Sequence, residues 1–261
     1  MTDARTKRET ELKRMQRFKN LSYDSFRQLA VDPSLSPSER IGFPDEYRVG
    51  HEEAILQDIL RKLPMLSADD KRVLDIGPGC APLARMLIEL CGKRRHSVTL
   101  IDSPEMLAQL PDEPFVQKVP AYFPRDCRDL VQQLSAKVDV VLTYSVFHYV
   151  FDEHPWHDFV DSCLQMLAPG GEMLIGDIPN TSKRKRFFAS EAGVRFHKQF
   201  TQTDSAPDVH FNSPEPRQID DAVVMGVLLR CRLAGYDAYI LPQNDGLPMA
   251  NRREDILIRR P

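Results

Sequence analysis

Apolar positions along this chain alternate between short β-branched runs and longer stretches with helical spacing. Val73-Leu74-Asp75-Ile76, Ser97-Val98-Thr99-Leu100-Ile101, Phe115 to Val119, Val138 to Tyr144, Glu172 to Ile178, Tyr236 to Leu241 and Arg253 to Arg259 each predict a strand. Between them, Leu83 to Leu90, Arg125 to Leu134, Asp158 to Leu167 and Asp220 to Ala234 predict helices. The run from Val138 is almost continuously apolar, as in a central parallel strand buried on both faces. Strand and helix in regular alternation imply an α/β fold with a doubly wound, mostly parallel sheet.

Two stretches depart from that alternation. Before the first strand, Lys, Arg, Glu and Thr dominate the first 20 or so residues, an exposed helix by composition. Tyr23, Phe26, Leu29 and Ala30 then fall at helical spacing, Ser34-Leu35-Ser36-Pro37 supplies a cap, Ile41 to Arg48 reads as a loop, and Ile55, Ile59, Leu60 and Leu63 form another helical stripe. We expect a helical extension over residues 1–65 that packs on a domain of residues 66–261 and could fold across the mouth of its site. Residues 181–216 carry a basic run, Lys183-Arg184-Lys185-Arg186, an aromatic pair and a Pro/Asp/Ser-rich tail, and are expected to be a lid insertion.

Chemistry concentrates where the first strand ends. Gly77-Pro78-Gly79 lets backbone approach a ligand closely, and the free N–H groups of the helix that follows favour an electron-rich group. A dinucleotide fingerprint counted from Gly77 would need Gly or Ala at the sixth position, where Pro82 stands. The Asp75 carboxylate is a poor neighbour for a pyrophosphate and a good one for a cationic amine. Asp102, at the tip of the second strand, is placed to accept from two ribose hydroxyls, with Ser103 and Met106 just beyond it.

Asp75-x-Gly77-x-Gly79-x-Ala81 resembles the first motif of the class I S-adenosylmethionine-dependent methyltransferases, with Ala81 in place of the last glycine. Leu167-Ala168-Pro169-Gly170-Gly171 before an apolar strand is also common in that family. The resemblance implies a Rossmann-like methyltransferase fold of seven strands with an antiparallel last strand, and S-adenosylmethionine as cofactor. Asp75, Gly77, Pro78, Gly79, Asp102, Ser103, Met106, Tyr122 and Ser145 are the expected cofactor residues. Where the family often places an acid after the third strand to bind the adenine amino group, this chain has Pro120, Ala121 and Tyr122, so stacking by Tyr122 or Phe123 is the expected replacement.

For the acceptor side, His148 follows the tip of the fourth strand and is the candidate general base, with a helix-capping histidine as the bland alternative. Tyr149, Arg184 and Arg186 are expected to bind substrate, the arginines forking a phosphate or carboxylate. His148, His154, His157 and Asp152 lack helical metal-site spacing, and no metal is expected. The activity implied is O- or N-methylation of a small metabolite, anionic or of sugar type. A catalytically silent member of the fold that binds S-adenosylmethionine or a partner is the alternative.

Composition narrows this further. A net charge of −3 gives no broad attraction to nucleic acid or anionic membrane, and Tyr144-Ser145-Val146-Phe147 is not the Asn/Asp-Pro-Pro-aromatic turn of DNA base methylases. The 5 scattered cysteines suggest neither a disulfide framework nor a zinc site. A cytoplasmic protein with a small-molecule acceptor is expected, with at most a second copy of itself as a homodimer and with no DNA or membrane partner.

Overall fold

The computed structural model describes residue 18, residues 21–213 and residues 215–261, so the helix expected over the first 20 residues lies almost wholly outside the described residues. Seven strands form one sheet: β1 (Arg72–Ile76), β2 (Ser97–Asp102), β3 (Val116–Pro120), β4 (Val138–Tyr144), β5 (Leu167–Pro179), β6 (Asp237–Pro242) and β7 (Arg253–Arg259). Their order is β3-β2-β1-β4-β5-β7-β6, and β7 alone runs antiparallel to its neighbours. The chain works outward from β1 to β3 and then returns to β4 on the other side of β1. That reversal opens a crevice beyond the carboxyl ends of β1 and β4.

The two faces of the sheet are filled by two cores. One joins Leu74, Val141, Phe147, Phe159, Met173 and Ile256, and the other joins Ile55, Leu87, Ile88, Val98, Val140 and Leu174. Alternate residues of β4 therefore point into different cores, as a strand buried on both faces requires. Helix α4 (Pro82–Lys93) buries Ala84, Leu87, Ile88 and Cys91, an i, i+3, i+4, i+7 stripe. All five cysteines are buried free thiols.

The leading segment forms α1 (Tyr23–Val31), α2 (Pro37–Arg40) and α3 (Glu52–Lys62). Ser22 caps α1, and Ser36 with Glu39 makes a reciprocal capping box on α2. After β2 come α5 (Pro104–Leu107) and α6 (Arg128–Gln133), then α7 (Phe147–Glu153) and α8 (Trp156–Met166) on either side of Pro155. Helix α6 starts three residues later than the pattern predicts, because residues 122–127 are closed by turns in which Asp126 N–H donates to Tyr122 O and Cys127 N–H to Pro124 O. Strand β5 starts earlier: Gly170 N–H donates to Arg260 O and Arg260 N–H to Gly171 O, which draws the expected turn into the sheet.

Residues 181–216 form α9 (Thr181–Phe188), α10 (Glu191–Thr201) and a coil before α11 (Asp221–Leu233). Phe187, Phe188 and Phe196 meet edge-on or tilted and Phe196 stacks on Phe200, and the Arg252 guanidinium lies over Phe188 and Phe196. The insertion is thus built on its own aromatic cluster beside the start of β7. No helix of the described residues is long and apolar enough to cross a membrane, and no group of three or more His, Cys, Asp or Glu among them is placed to hold a metal ion.

Candidate active site

The crevice at the sheet reversal is a cavity walled by the glycine loop, the tips of β2 and β4, the segment after β3, and the leading helices. Gly77 and Gly79 have φ of +72° and +65°, which glycine adopts without strain. A Cβ on Gly77 would sit 2.5 Å from Val146 Cγ2, and one on Gly79 would sit 2.7 Å from Ile41 Cγ2. The loop therefore has room for backbone only, pressed between the β4 tip and the leading segment. Ala81 is the N-cap of helix α4 and supplies no side-chain cap, Pro82 stands in its first turn, and Ala81 and Leu83 line the cavity.

Two carboxyls stand beside this loop. Asp75 is 4 % exposed and has no hydrogen-bond or ion-pair partner among the described residues; burial and the neighbouring Asp102 push its pKa up to about 8. Asp102 accepts from Ser103 N–H at 2.7 Å and Gly79 N–H at 2.9 Å, and burial still raises its pKa to about 6 against those bonds. Each of its oxygens keeps a lone pair for a further donor. Pro78, Met106, Tyr122 and Ser145 also line the cavity. Ser103 does not: its hydroxyl accepts from Met106 N–H and is used up as the cap of α5, so its cofactor role has no geometric support.

Ser145 follows β4 with φ +63° and donates to Asp177 Oδ2 at 2.5 Å while accepting from Arg48 at 2.5 Å. Arg48 also reaches Asp177 at 2.9 Å, and Arg253 meets the same carboxylate at 2.8 Å. All three charged side chains are buried. Burial alone would raise the Asp177 pKa, but the two guanidiniums hold it below the ordinary carboxylate range. Arg48, Phe43, Tyr23, Phe26 and Glu153 are cavity residues that the sequence did not single out. The aromatic spacing of Tyr23 and Phe26 was a usable signal; nothing local marked Arg48 or Glu153.

A second cleft adjoins the cavity and shares Phe43 and Tyr149 with it. His148 lines this cleft and not the cavity. Burial, then Arg253 and Arg48, push its pKa down to about 3, and its buried Nδ1 has no partner among the described residues. Arg184 and Arg186 line neither space, being paired with Glu215 at 2.6 Å and Asp221 at 2.5 Å. Among the described residues of 181–216 only Pro216 lines the cleft and none lines the cavity, which the leading segment walls instead.

Residues 73–171, from β1 through the start of β5, match the family model described as a methyltransferase domain. Within those residues the chain is thus similar to a methyltransferase domain. No curated protein matches the chain in sequence. Among solved structures, the chain is similar in fold to the N-methyltransferase NodS from Bradyrhizobium japonicum WM9 in complex with S-adenosyl-l-homocysteine, at 14% identity and TM-score 0.53 over 92% of this chain and 98% of that one. It is also similar to the CurJ carbon methyltransferase, at 15% identity and TM-score 0.53 over 90% of this chain and 63% of the other. An O-methyltransferase family protein from Burkholderia thailandensis aligns at 16% identity and TM-score 0.52 over 92% and 62%. The chain thus spans less than two thirds of the last two.

Proposed function

We propose that this chain is a methyltransferase that moves a methyl group from S-adenosylmethionine to an oxygen or nitrogen of a small metabolite, of sugar type or carrying an anionic group. The observation that carries the proposal is a pair of adjoining spaces, one built for the cofactor and one open to an acceptor, that meet at Phe43 and Tyr149. S-adenosylmethionine supplies an activated methyl group when bound, and the chain's task is to position two molecules. Asp75 would receive the amine of its amino-acid tail, Asp102 its ribose hydroxyls, and the glycine loop and the open end of α4 its carboxylate.

On the acceptor side, Phe43, Tyr47 and Tyr149 offer flat faces to a ring, and Arg217 stands at the cleft as a guanidinium paired with Asp152. This replaces Arg184 and Arg186 as the reading of anion recognition. His148 is uncharged at neutral pH and a weak base, so its free nitrogen suits accepting a hydrogen bond from the acceptor more than removing a proton. The N-, carbon and O-methyltransferases of similar fold leave the atom methylated to be found by assay.

Calorimetry should show S-adenosylhomocysteine binding at micromolar levels or tighter, about 8 kcal/mol. NAD binding in its place would overturn the reading. A methyl-release assay over a panel of sugars and sugar phosphates then identifies the acceptor; cofactor binding without turnover on any of them would support the silent-member alternative.

A further inference from the structure

The cavity has a far end that the glycine loop does not serve. Asp102 pairs in register with Pro120, and Ala121 N–H donates to Asp102 O at 3.1 Å, so the segment after β3 starts directly beside the ribose-accepting carboxylate. A base attached to a ribose held at Asp102 therefore meets Ala121, Tyr122 and Phe123. Of these side chains only the Tyr122 hydroxyl oxygen could accept from an amino group, and it is a neutral acceptor where a carboxylate would bind more strongly. Across from them stands Glu153, in the last turn of α7, lining the same cavity.

Glu153 is held in place by two bonds from distant parts of the chain. Its Oε2 accepts from Tyr122 OH at 2.8 Å and its Oε1 from Tyr23 N–H at 3.3 Å, while the Tyr23 and Tyr122 rings meet edge-on at 4.6 Å. Burial and then the bond to Glu153 push the Tyr122 phenol above its ordinary pKa, so it remains a donor. Each carboxylate oxygen accepts two hydrogen bonds and has spent one. An acceptor with spare capacity at the edge of an aromatic slot suits a planar ring that carries an amino group.

We propose that Glu153 reads the adenine of the cofactor, accepting a hydrogen bond from its exocyclic amino group in place of the acid missing after β3. This rests on the S-adenosylmethionine reading above. A base with an oxo group at that position presents an acceptor to an acceptor and brings no donor to the partly buried carboxylate, so adenine and hypoxanthine should be separated by this one residue.

The test is calorimetry of S-adenosylhomocysteine and its inosine counterpart, S-inosylhomocysteine, with the wild-type chain and three variants. The wild type should prefer the adenine form by about tenfold or more, the scale of one hydrogen bond to a charged group. Glu153→Ala should bring the two ligands to within about threefold, chiefly by weakening the adenine form. Glu153→Gln, whose amide can also donate, should shift preference toward the inosine form. Tyr122→Phe, which removes only the supporting bond, should keep the adenine preference. A folded Glu153→Ala chain with undiminished preference overturns the proposal; if that variant does not fold, an unchanged preference in Glu153→Gln does so. Wild type that binds S-adenosylhomocysteine without discriminating overturns this proposal alone, whereas wild type that binds neither ligand removes the cofactor reading and this one with it.

Discussion

Asp75 and Asp102 flank one loop, neither paired with a cation among the described residues, and their protonation is where the site is most open to measurement. Burial and the Asp102 charge leave Asp75 with a pKa of about 8, so in the ligand-free chain it holds its proton at neutral pH. An ammonium group arriving beside it favours the ionised form and should expel that proton. Calorimetry of S-adenosylhomocysteine at pH 7 should therefore report release approaching one proton when repeated in buffers of different ionisation enthalpy, and Asp75→Asn should abolish it; heats independent of the buffer in the wild type would refute this. The stability sign follows. Because the folded pKa is raised, the contribution of Asp75 is full below its ordinary 3.8 and is lost as pH rises through about 8, so Asp75→Asn should lose less stability than wild type toward alkaline pH. Asp102→Ala should weaken cofactor binding by about 1.5–3 kcal/mol, measured in the same calorimeter, because it removes an acceptor without touching the core. The place of both aspartates beside the glycine loop was legible in the sequence, since each lies at the carboxyl end of a strand. Glu153 was not, because its partner Tyr122 lies 31 positions away and only the packing of α7 against the segment after β3 brings them together.

At the scale of elements, the glycine loop, the β4 tip and the segment between α2 and α3 form a sandwich with backbone at its centre. Gly79→Ala places a methyl 2.7 Å from Ile41 Cγ2 and holds a non-glycine residue at φ +65°, so two separable costs add. The left-handed backbone contributes about 1–2 kcal/mol, and crowding of Ile41 adds to it. Urea denaturation should show Gly79→Ala destabilised, and the same substitution should cost less in an Ile41→Ala background, which lacks the Cγ2 methyl. Disappearance of the whole cost in that background would mean the backbone conformation carries no cost there. The strands and their order of use were legible because the apolar period of a buried parallel strand survives in the chain itself. Helix ends were less so: the start of α6 is set by hydrogen bonds that close residues 122–127, and the early start of β5 by pairing with Arg260, just past the end of β7. The role of Ile41 to Arg48 was illegible for the same reason. A loop whose conformation is imposed by what it lies against carries no period of its own.

For the molecule as a whole, the leading segment and the antiparallel end of the sheet are joined through buried charge. Arg48 comes from beside α3, Asp177 from a register shift in β5 where φ reaches +61°, and Arg253 from the first residue of β7. Gln243 bridges Asp177 to Asp255, and Asp255 in turn meets Lys62 at 2.7 Å and Lys62 meets Asp58 at 2.5 Å. One network of ion pairs, joined through the Gln243 amide, thus runs from the cavity wall through the end of β5 to α3. Removing a member leaves the others charged and dry, which is costlier than never having buried them. Asp177→Ala, which strands Arg48 and Arg253 together, should cost about 3–5 kcal/mol in urea denaturation at pH 7. The pH dependence tells this from simple loss of packing. The Asp177 pKa is depressed in the fold, so its contribution is present above the ordinary aspartate value of 3.8 and disappears as pH falls through the lower folded value. The gap between wild type and Asp177→Ala should therefore close in strong acid; a gap that stays constant with pH would assign the loss to packing and leave the position of Arg48 to the aromatic face of Phe43, over which its guanidinium lies at 3.9 Å.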